Sequence, residues 1–325
     1  MCSAKTIAQL IPADDNRVTK LAHDALLAGY IVAIPTETVY GLAADATNES
    51  AIEKVFKAKD RPTFNPLICH VYDMDMASQY VEIGKLAESL IESFWPGPLT
   101  IVLPQKLNNH IARSVSAGLP TLAVRCPASS ITRDIIKKLD RPIAAPSANP
   151  SGKLSPTTAQ DVINGLGSKI DLIVDAGPCQ IGIESTIIAI LNEEITLLRP
   201  GSITADDITQ KSKKPVKDCD GATITAPGQM ASHYAPNKVI KLNKTESTSD
   251  NYLIGFNKMN CDINLSKSGD LSEAAANLFT YLRIADASNK DYIAVAPIPN
   301  KGVGIAINDR LKRAAAPRNL NESST

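Results

Sequence analysis

The chain has 325 residues, more than a single hydrophobic core comfortably serves, so two domains are expected. Its 34 basic and 34 acidic residues cancel, which excludes a chain dominated by nucleic-acid phosphate contacts and leaves room only for a local basic groove. With 44% hydrophobic residues, 17 Gly and 21 Pro it reads as globular α/β, and its 6 cysteines stand singly without a C-x-x-C pair, pointing to neither a zinc site nor a disulfide framework.

At the N-terminus MCSAKTIAQL has no apolar leader, and no later run reaches the roughly 18 apolar residues that cross a bilayer, so a cytoplasmic protein without membrane contact is expected. NRVTKLAHDALLAGY (16–30) has helical apolar spacing and closes at Gly29; IVAIP follows as a short buried strand. Asn48 is placed to cap ESAIEKVFKAK, a helix that must stop before Pro62. PLICHV, LTIVL, TLAVRC, PIAAP, DLIVDAG, STIIAIL and ITLLRPG are strand-length apolar runs, with helices over 84–94, 129–139 and 157–164. This predicts a mixed α/β domain over 1–209, a polar linker or lid over 210–237 interrupted by Pro and Gly, and a smaller α/β domain over 238–325. The last contains the strands NYLIGF and DYIAVAPIP and the helices LSEAAANLFTYLRIAD and INDRLKRAAA.

Familiar nucleotide and nucleophile motifs fail. PSGKLSPTT lacks the upstream Gly and following Ser/Thr of a Walker A loop, GVGIAI is half a dinucleotide fingerprint, and neither HExxH nor GxSxG occurs. What remains is a series of polar clusters placed just after strands, where open α/β sheets hold ligands. Thr36 and Thr38 in PTETVYG offer hydroxyls either to a turn or to a ligand. Lys59 and Arg61 close a helix, where cations complement its dipole or meet an anion. Asn65 lies in a turn, and His70 ends an apolar strand as a core histidine or a ligand-binding one. Thr121 and Arg125 are four residues apart and share a strand face; an Arg there must find an anion, a structural carboxylate or a ligand's. Ser147 and Asn149 follow a strand in a Pro-rich loop, Ser185 opens another, and Arg199 ends a third. Hydroxyls and cations gathered at strand ends point to one anionic ligand held by many hydrogen bonds.

Taken in order, PTETVYGL, Lys59-Asp60-Arg61, NPLICH, FWPGPLT, VRCP, SAN at 147–149, ESTII and LRPGSIT resemble the YrdC-like threonylcarbamoyl-AMP synthase family. APGQMASHYAP and AINDRLKRAAAPR resemble the linker and appended domain of its long members. Asp60 stands where that family often has Gly.

The resemblance implies a YrdC-like domain with a large twisted mixed sheet and flanking helices, followed by a smaller Rossmann-like α/β domain. It implies synthesis of threonylcarbamoyl-AMP and pyrophosphate from L-threonine, bicarbonate or CO2, and ATP, with Mg2+ accompanying ATP. Downstream threonylcarbamoyl transferase proteins are the implied partners, with tRNA a candidate further one. Carried over by residue, Thr38, His70, Arg125, Ala145 and Ser185 line the threonine site, and Arg61, Asn65, Thr121, Ser147, Ser155, Arg199 and Tyr234 the ATP site. Lys59, Arg61, Ser147 and Asn149 make up the catalytic KxR and SxN sets. Two other readings are a carbamoyltransferase-type adenylating enzyme, whose zinc-binding cysteine pairs are absent from this sequence, and a non-catalytic RNA-binding module, which the balanced charge disfavours.

Overall fold

Val18, Ala22 and Leu26, four residues apart, form the buried stripe of α1 (Val18–Leu27), and the chain leaves this helix through Gly29 at φ +76°. The computed structural model describes residues 8–219 and 233–317; Cys2 and the 220–232 part of the expected linker lie outside the described residues. The chain divides into two compact units, Met1–Ser151 with Ser155–Gln229, and Gly152–Leu154 with Met230–Thr325.

The first unit carries strands β1 (Gln9–Pro12), β2 (Val32–Ile34), β3 (Gly41–Asp45), β4 (Ile68–His70), β5 (Leu99–Pro104), β6 (Thr121–Arg125), β7 (Ile143–Ala144), β8 (Leu172–Asp175), β9 (Thr186–Leu191), β10 (Glu194–Arg199) and β11 (Val216–Asp218). They form one mixed sheet in the order β1-β8-β2-β3-β7-β4-β6-β5-β9-β10-β11. Its further helices are α2 (Glu49–Lys59), α3 (Met74–Ser78), α4 (Lys85–Phe94), α5 (Ser130–Leu139), α6 (Ala159–Leu166) and α7 (Ala205–Ser212). Each apolar run singled out in the sequence of this unit is a strand. The strand β3, by contrast, is made of Gly, Leu, Ala, Ala and Asp, a composition of weak β-propensity; it is held by pairing to β2 and β7 on its two sides.

One boundary differs from expectation. The sheet runs past residue 209, because α7 follows β10 and β11 pairs in parallel with it, so Val216–Asp218 is an edge strand of the first unit and not linker. Its alternation of Val, Lys and Asp is too short to show a period.

Alternation sorts the sheet residues onto two faces, and the faces are covered unequally. On one, Ala44, Cys69, Ile101, Leu122, Val124 and Ile188 join a large core with α2, α4, α6 and α7. On the other, Val32, Ala43, Ile143 and Leu172 pack against α1, α3 and α5. Further along that second face the apolar group shrinks to Ile68, Val102, Ala123, Ile187, Ala189 and Leu198, to which no helix of the described residues contributes.

The second unit is a parallel sheet in the order β12-β15-β13-β14, from β12 (Val239–Leu242), β13 (Asn251–Gly255), β14 (Ile263–Asn264) and β15 (Tyr292–Val295), with helices α8 (Leu271–Ala287) and α9 (Val303–Ala315). Of the two glycines of GVGIAI, Gly302 turns the chain at φ +51° ahead of α9 and Gly304 serves packing: a Cβ there would stand 2.0 Å from the carbonyl oxygen of Pro299.

Asp60, at the C-terminal end of α2, has left-handed φ 53°, ψ 52°, a conformation glycine takes without steric cost. Asp60→Gly is therefore expected to stabilise the protein by about 1 kcal/mol, read as a higher urea midpoint at unchanged slope.

Candidate active site

The stretch of sheet to which no described helix contributes is where the polar clusters meet. Thr121, Ala123 and Arg125 alternate onto one face of β6. The register sets Arg125 beside His70 and Ala123 beside Ile68 of β4, and Ala123 beside Val102 of β5. Thr100 and Val102 lie in turn beside Ile187 and Ala189 of β9. The result is an apolar floor with Arg125, His70 and Thr100 toward one end and Thr121 at the other.

Arg125 is buried to 3% exposure. Its Nε donates to the Gly97 carbonyl at 3.2 Å and its Nη2 to Glu37 Oε1; the other Glu37 oxygen accepts the Ala128 N–H at 2.9 Å. Of the two anions that sequence left open for Arg125, the structure thus supplies the structural one. An arginine carries five N–H donors. Two are used here, by the Gly97 carbonyl and Glu37, and the side chain makes no further hydrogen bond among the described residues.

Around this cation stand the other residues expected to hold threonine. Thr38 is buried in the PTETVYG loop, where the Thr36 hydroxyl bonds that of Thr38 at 2.8 Å and donates to the Val39 carbonyl at 2.6 Å, so Thr36 secures the turn. Ser185 Oγ lies 2.8 Å from Thr100 Oγ1 and accepts from Arg199 Nη2 at 3.2 Å, while Arg199 Nε donates to the Ser185 carbonyl at 3.1 Å. Ala145 follows β7 and donates its N–H to the Ile68 carbonyl at 3.0 Å. His70 is buried with Nδ1 lacking a hydrogen-bond partner; burial, helped by the Arg125 charge, pushes its pKa down to about 3, so it is neutral at pH 7.

Of the residues expected at ATP, Arg61 and Asn65 follow α2, Ser147 and Ser155 follow β7, Thr121 and Arg199 lie on strands, and Tyr234 lies in the second unit. Lys59, the last residue of α2, is buried and donates from Nζ to the Ser147 and Asn149 carbonyls, while its own carbonyl takes the Ser151 N–H at 2.7 Å. Burial first, then the Arg61 charge, push the Lys59 pKa well below the usual lysine value, and Glu184 opposes that shift. Arg61 Nε donates to the Asn65 carbonyl at 3.2 Å and Nη2 to the Pro66 carbonyl at 2.9 Å. Ser147 is bridged to Gly41, Asn149 Nδ2 donates to the Pro150 carbonyl at 2.8 Å, and the Ser155 hydroxyl donates to Glu184 Oε1. Tyr234 belongs to the second unit, where its ring packs 5.5 Å from Phe279 and lies 5.5 Å below the Arg310 guanidinium, with its backbone at φ +61°.

Two acids that contact the expected site residues were not singled out in the sequence, Glu37 and Glu184. Both sit inside motifs already singled out: Glu37 pairs with the buried Arg125, and Glu184 accepts from Ser155 while its charge raises the Lys59 pKa. The demand of a buried charge for a counter-charge was the available signal. Among the described residues no three His, Cys, Asp or Glu stand together to hold a metal. No helix of the described residues is long and apolar enough to cross a membrane.

A family model described as "Telomere recombination", covering Sua5, YciO and YrdC, matches residues 24–201, and one described as "Threonylcarbamoyl-AMP synthase, C-terminal domain" matches residues 195–316. The Threonylcarbamoyl-AMP synthase of Pyrococcus abyssi is 36% identical, over 92% of this chain and 94% of that one. The chain belongs to the threonylcarbamoyl-AMP synthase family. The member from Bacillus subtilis is also 36% identical, over 89% and 90% of the two chains. A crystal structure of P. abyssi Sua5 complexed with L-threonine superposes with a TM-score of 0.87 at 34% identity, covering 95% of this chain and 98% of that one.

Within this family member the neutral His70 has a measurable consequence. Its folded pKa lies below the ordinary 6.5, so between those values the unfolded chain binds the extra proton. Stability should therefore fall as pH drops from 6.5 toward 5, with a slope approaching about 1.4 kcal/mol per pH unit. Chemical denaturation across that window should show the slope, and His70→Gln should remove it.

Proposed function

We propose that this protein makes threonylcarbamoyl-AMP and pyrophosphate from L-threonine, bicarbonate or CO2, and ATP, and so supplies the activated group for threonylcarbamoyladenosine in tRNA. The observation that carries the reading is Arg125, a buried guanidinium with unspent donors, flanked by His70 on a sheet face with an apolar floor. A small amino acid matches that setting: a carboxylate for the cation, a methyl for the floor and a hydroxyl for the neighbouring polar groups.

The chemistry asks for enclosure and alignment more than for a nucleophilic side chain. The threonine amine, once deprotonated, forms a C–N bond to the carbon of CO2 and gives a carbamate that water would reverse. A carbamate oxygen then attacks the α-phosphorus of ATP, and the bond to the bridging oxygen breaks, releasing pyrophosphate. Arg125, with Thr38, His70, Ala145 and Ser185, holds threonine; a neutral His70 adds no second cation beside Arg125. Arg61, Asn65, Thr121, Ser147, Ser155 and Arg199 receive the nucleotide, and Tyr234 is assigned to it by the resemblance alone. Lys59 acts through the backbone: by gripping the Ser147 and Asn149 carbonyls it fixes the loop that presents these two side chains. Mg2+ would arrive on the phosphates of ATP, and its chemistry is to neutralise charge on the departing pyrophosphate. The product is a mixed anhydride, which a transferase passes to tRNA.

Purified protein given all substrates should release pyrophosphate at a rate that vanishes when either L-threonine or bicarbonate is withheld. Release indifferent to both would falsify the assignment.

A further inference from the structure

Among the described residues Glu37 is the one carboxylate paired with Arg125, and it is held on both sides. Its side chain is 9% exposed, one oxygen takes Arg125 Nη2, and the other takes the Ala128 N–H at 2.9 Å just ahead of α5. Its backbone is fixed too: its carbonyl accepts the Ile181 N–H at 2.8 Å, and the turn around it is tied by the Thr36 hydroxyl. The guanidinium is thereby gripped along its Nε–Nη2 side, by the Gly97 carbonyl at one position and by Glu37 at the next. A planar guanidinium gripped on one side has its opposite side fixed in direction, so Nη1 is aimed by the partners of Nε and Nη2.

We propose that Glu37 is a positioning residue of the threonine site, which sets the plane of the Arg125 guanidinium so that its Nη1 side meets the substrate carboxylate. The inference rests on the reading of Arg125 as the carboxylate's partner. Two features separate it from a plain structural ion pair. Glu37 is pinned to Ala128 as well as to Arg125, so the direction of its carboxylate is fixed along with its charge. Burying a charged pair is also weak support for stability, since an apolar pair of similar volume often does as well. An interaction that fixes direction is better understood by what it aims.

The test uses full-length protein with Glu37→Gln and Glu37→Asp, each read by steady-state kinetics and thermal melting. Gln keeps the length and one acceptor but loses the charge. Asp keeps the charge but is one methylene too short to reach Arg125 and Ala128 together. If Glu37 positions Arg125, both variants raise KM for threonine about tenfold or more, with KM for ATP and kcat at saturating threonine within about twofold of the parent. A role in charge balance alone would spare Glu37→Asp, and that result overturns the proposal. Threonine KM unchanged in both variants, loss of all parameters in step with a lowered melting temperature, or failure of both variants to fold would overturn it equally. The underlying reading is checked separately with the parent protein: if its activity does not depend on threonine, the site assignment fails, whatever the variants do.

Discussion

The buried Arg125 guanidinium is the constraint to which the rest of this site answers. Moving an unpaired cation out of water costs several kcal/mol even after relaxation, so a strand that carries one must recruit acceptors from elsewhere in the chain. Arg125 draws on the Gly97 carbonyl just before β5 and on Glu37 from the loop between β2 and β3. Because Glu37 also binds the Ala128 N–H, three separate segments are brought to one point on the sheet face. Enough donors are left over for an incoming anion to complete the shell.

The cationic loop pair follows the same logic in a different form. Lys59 meets no carboxylate directly among the described residues and spends its Nζ donors on the Ser147 and Asn149 carbonyls, a tie between the end of α2 and the loop after β7. Low solvent access strengthens such bonds and makes their loss expensive. Among the described residues, helices pack on this face only as far as β7, and Ile68, Val102, Ala123 and Ile187 form a buried apolar floor to which none of them contributes.

Much of this was legible in the sequence, and the reasons are local. Long apolar runs such as STIIAIL and LTIVL declare themselves as strands, and Asn48 declared the start of α2, where its side chain accepts the Ala51 N–H at 3.2 Å. The shared face of Thr121 and Arg125 followed from alternation alone. By contrast β3 and β11 were hidden, one because its small residues owe their place to neighbouring strands, the other because three residues carry no period. Among site residues, the cations and hydroxyls were read from their positions after strands. Glu37 and Glu184 were not, because a carboxylate in a loop looks solvated until the cation it serves is known to be buried.

The central claim, that Arg125 holds an amino-acid carboxylate, is tested most directly by calorimetric titration of the protein with L-threonine and with L-threoninol, which keeps the amine, hydroxyl and methyl but lacks the carboxylate. The account predicts saturable binding of threonine and at least a tenfold weaker response to threoninol, in line with loss of a charge-assisted bond worth about 1.5–3 kcal/mol. Equal binding of the two would contradict it, since the buried guanidinium would then contribute nothing to recognition.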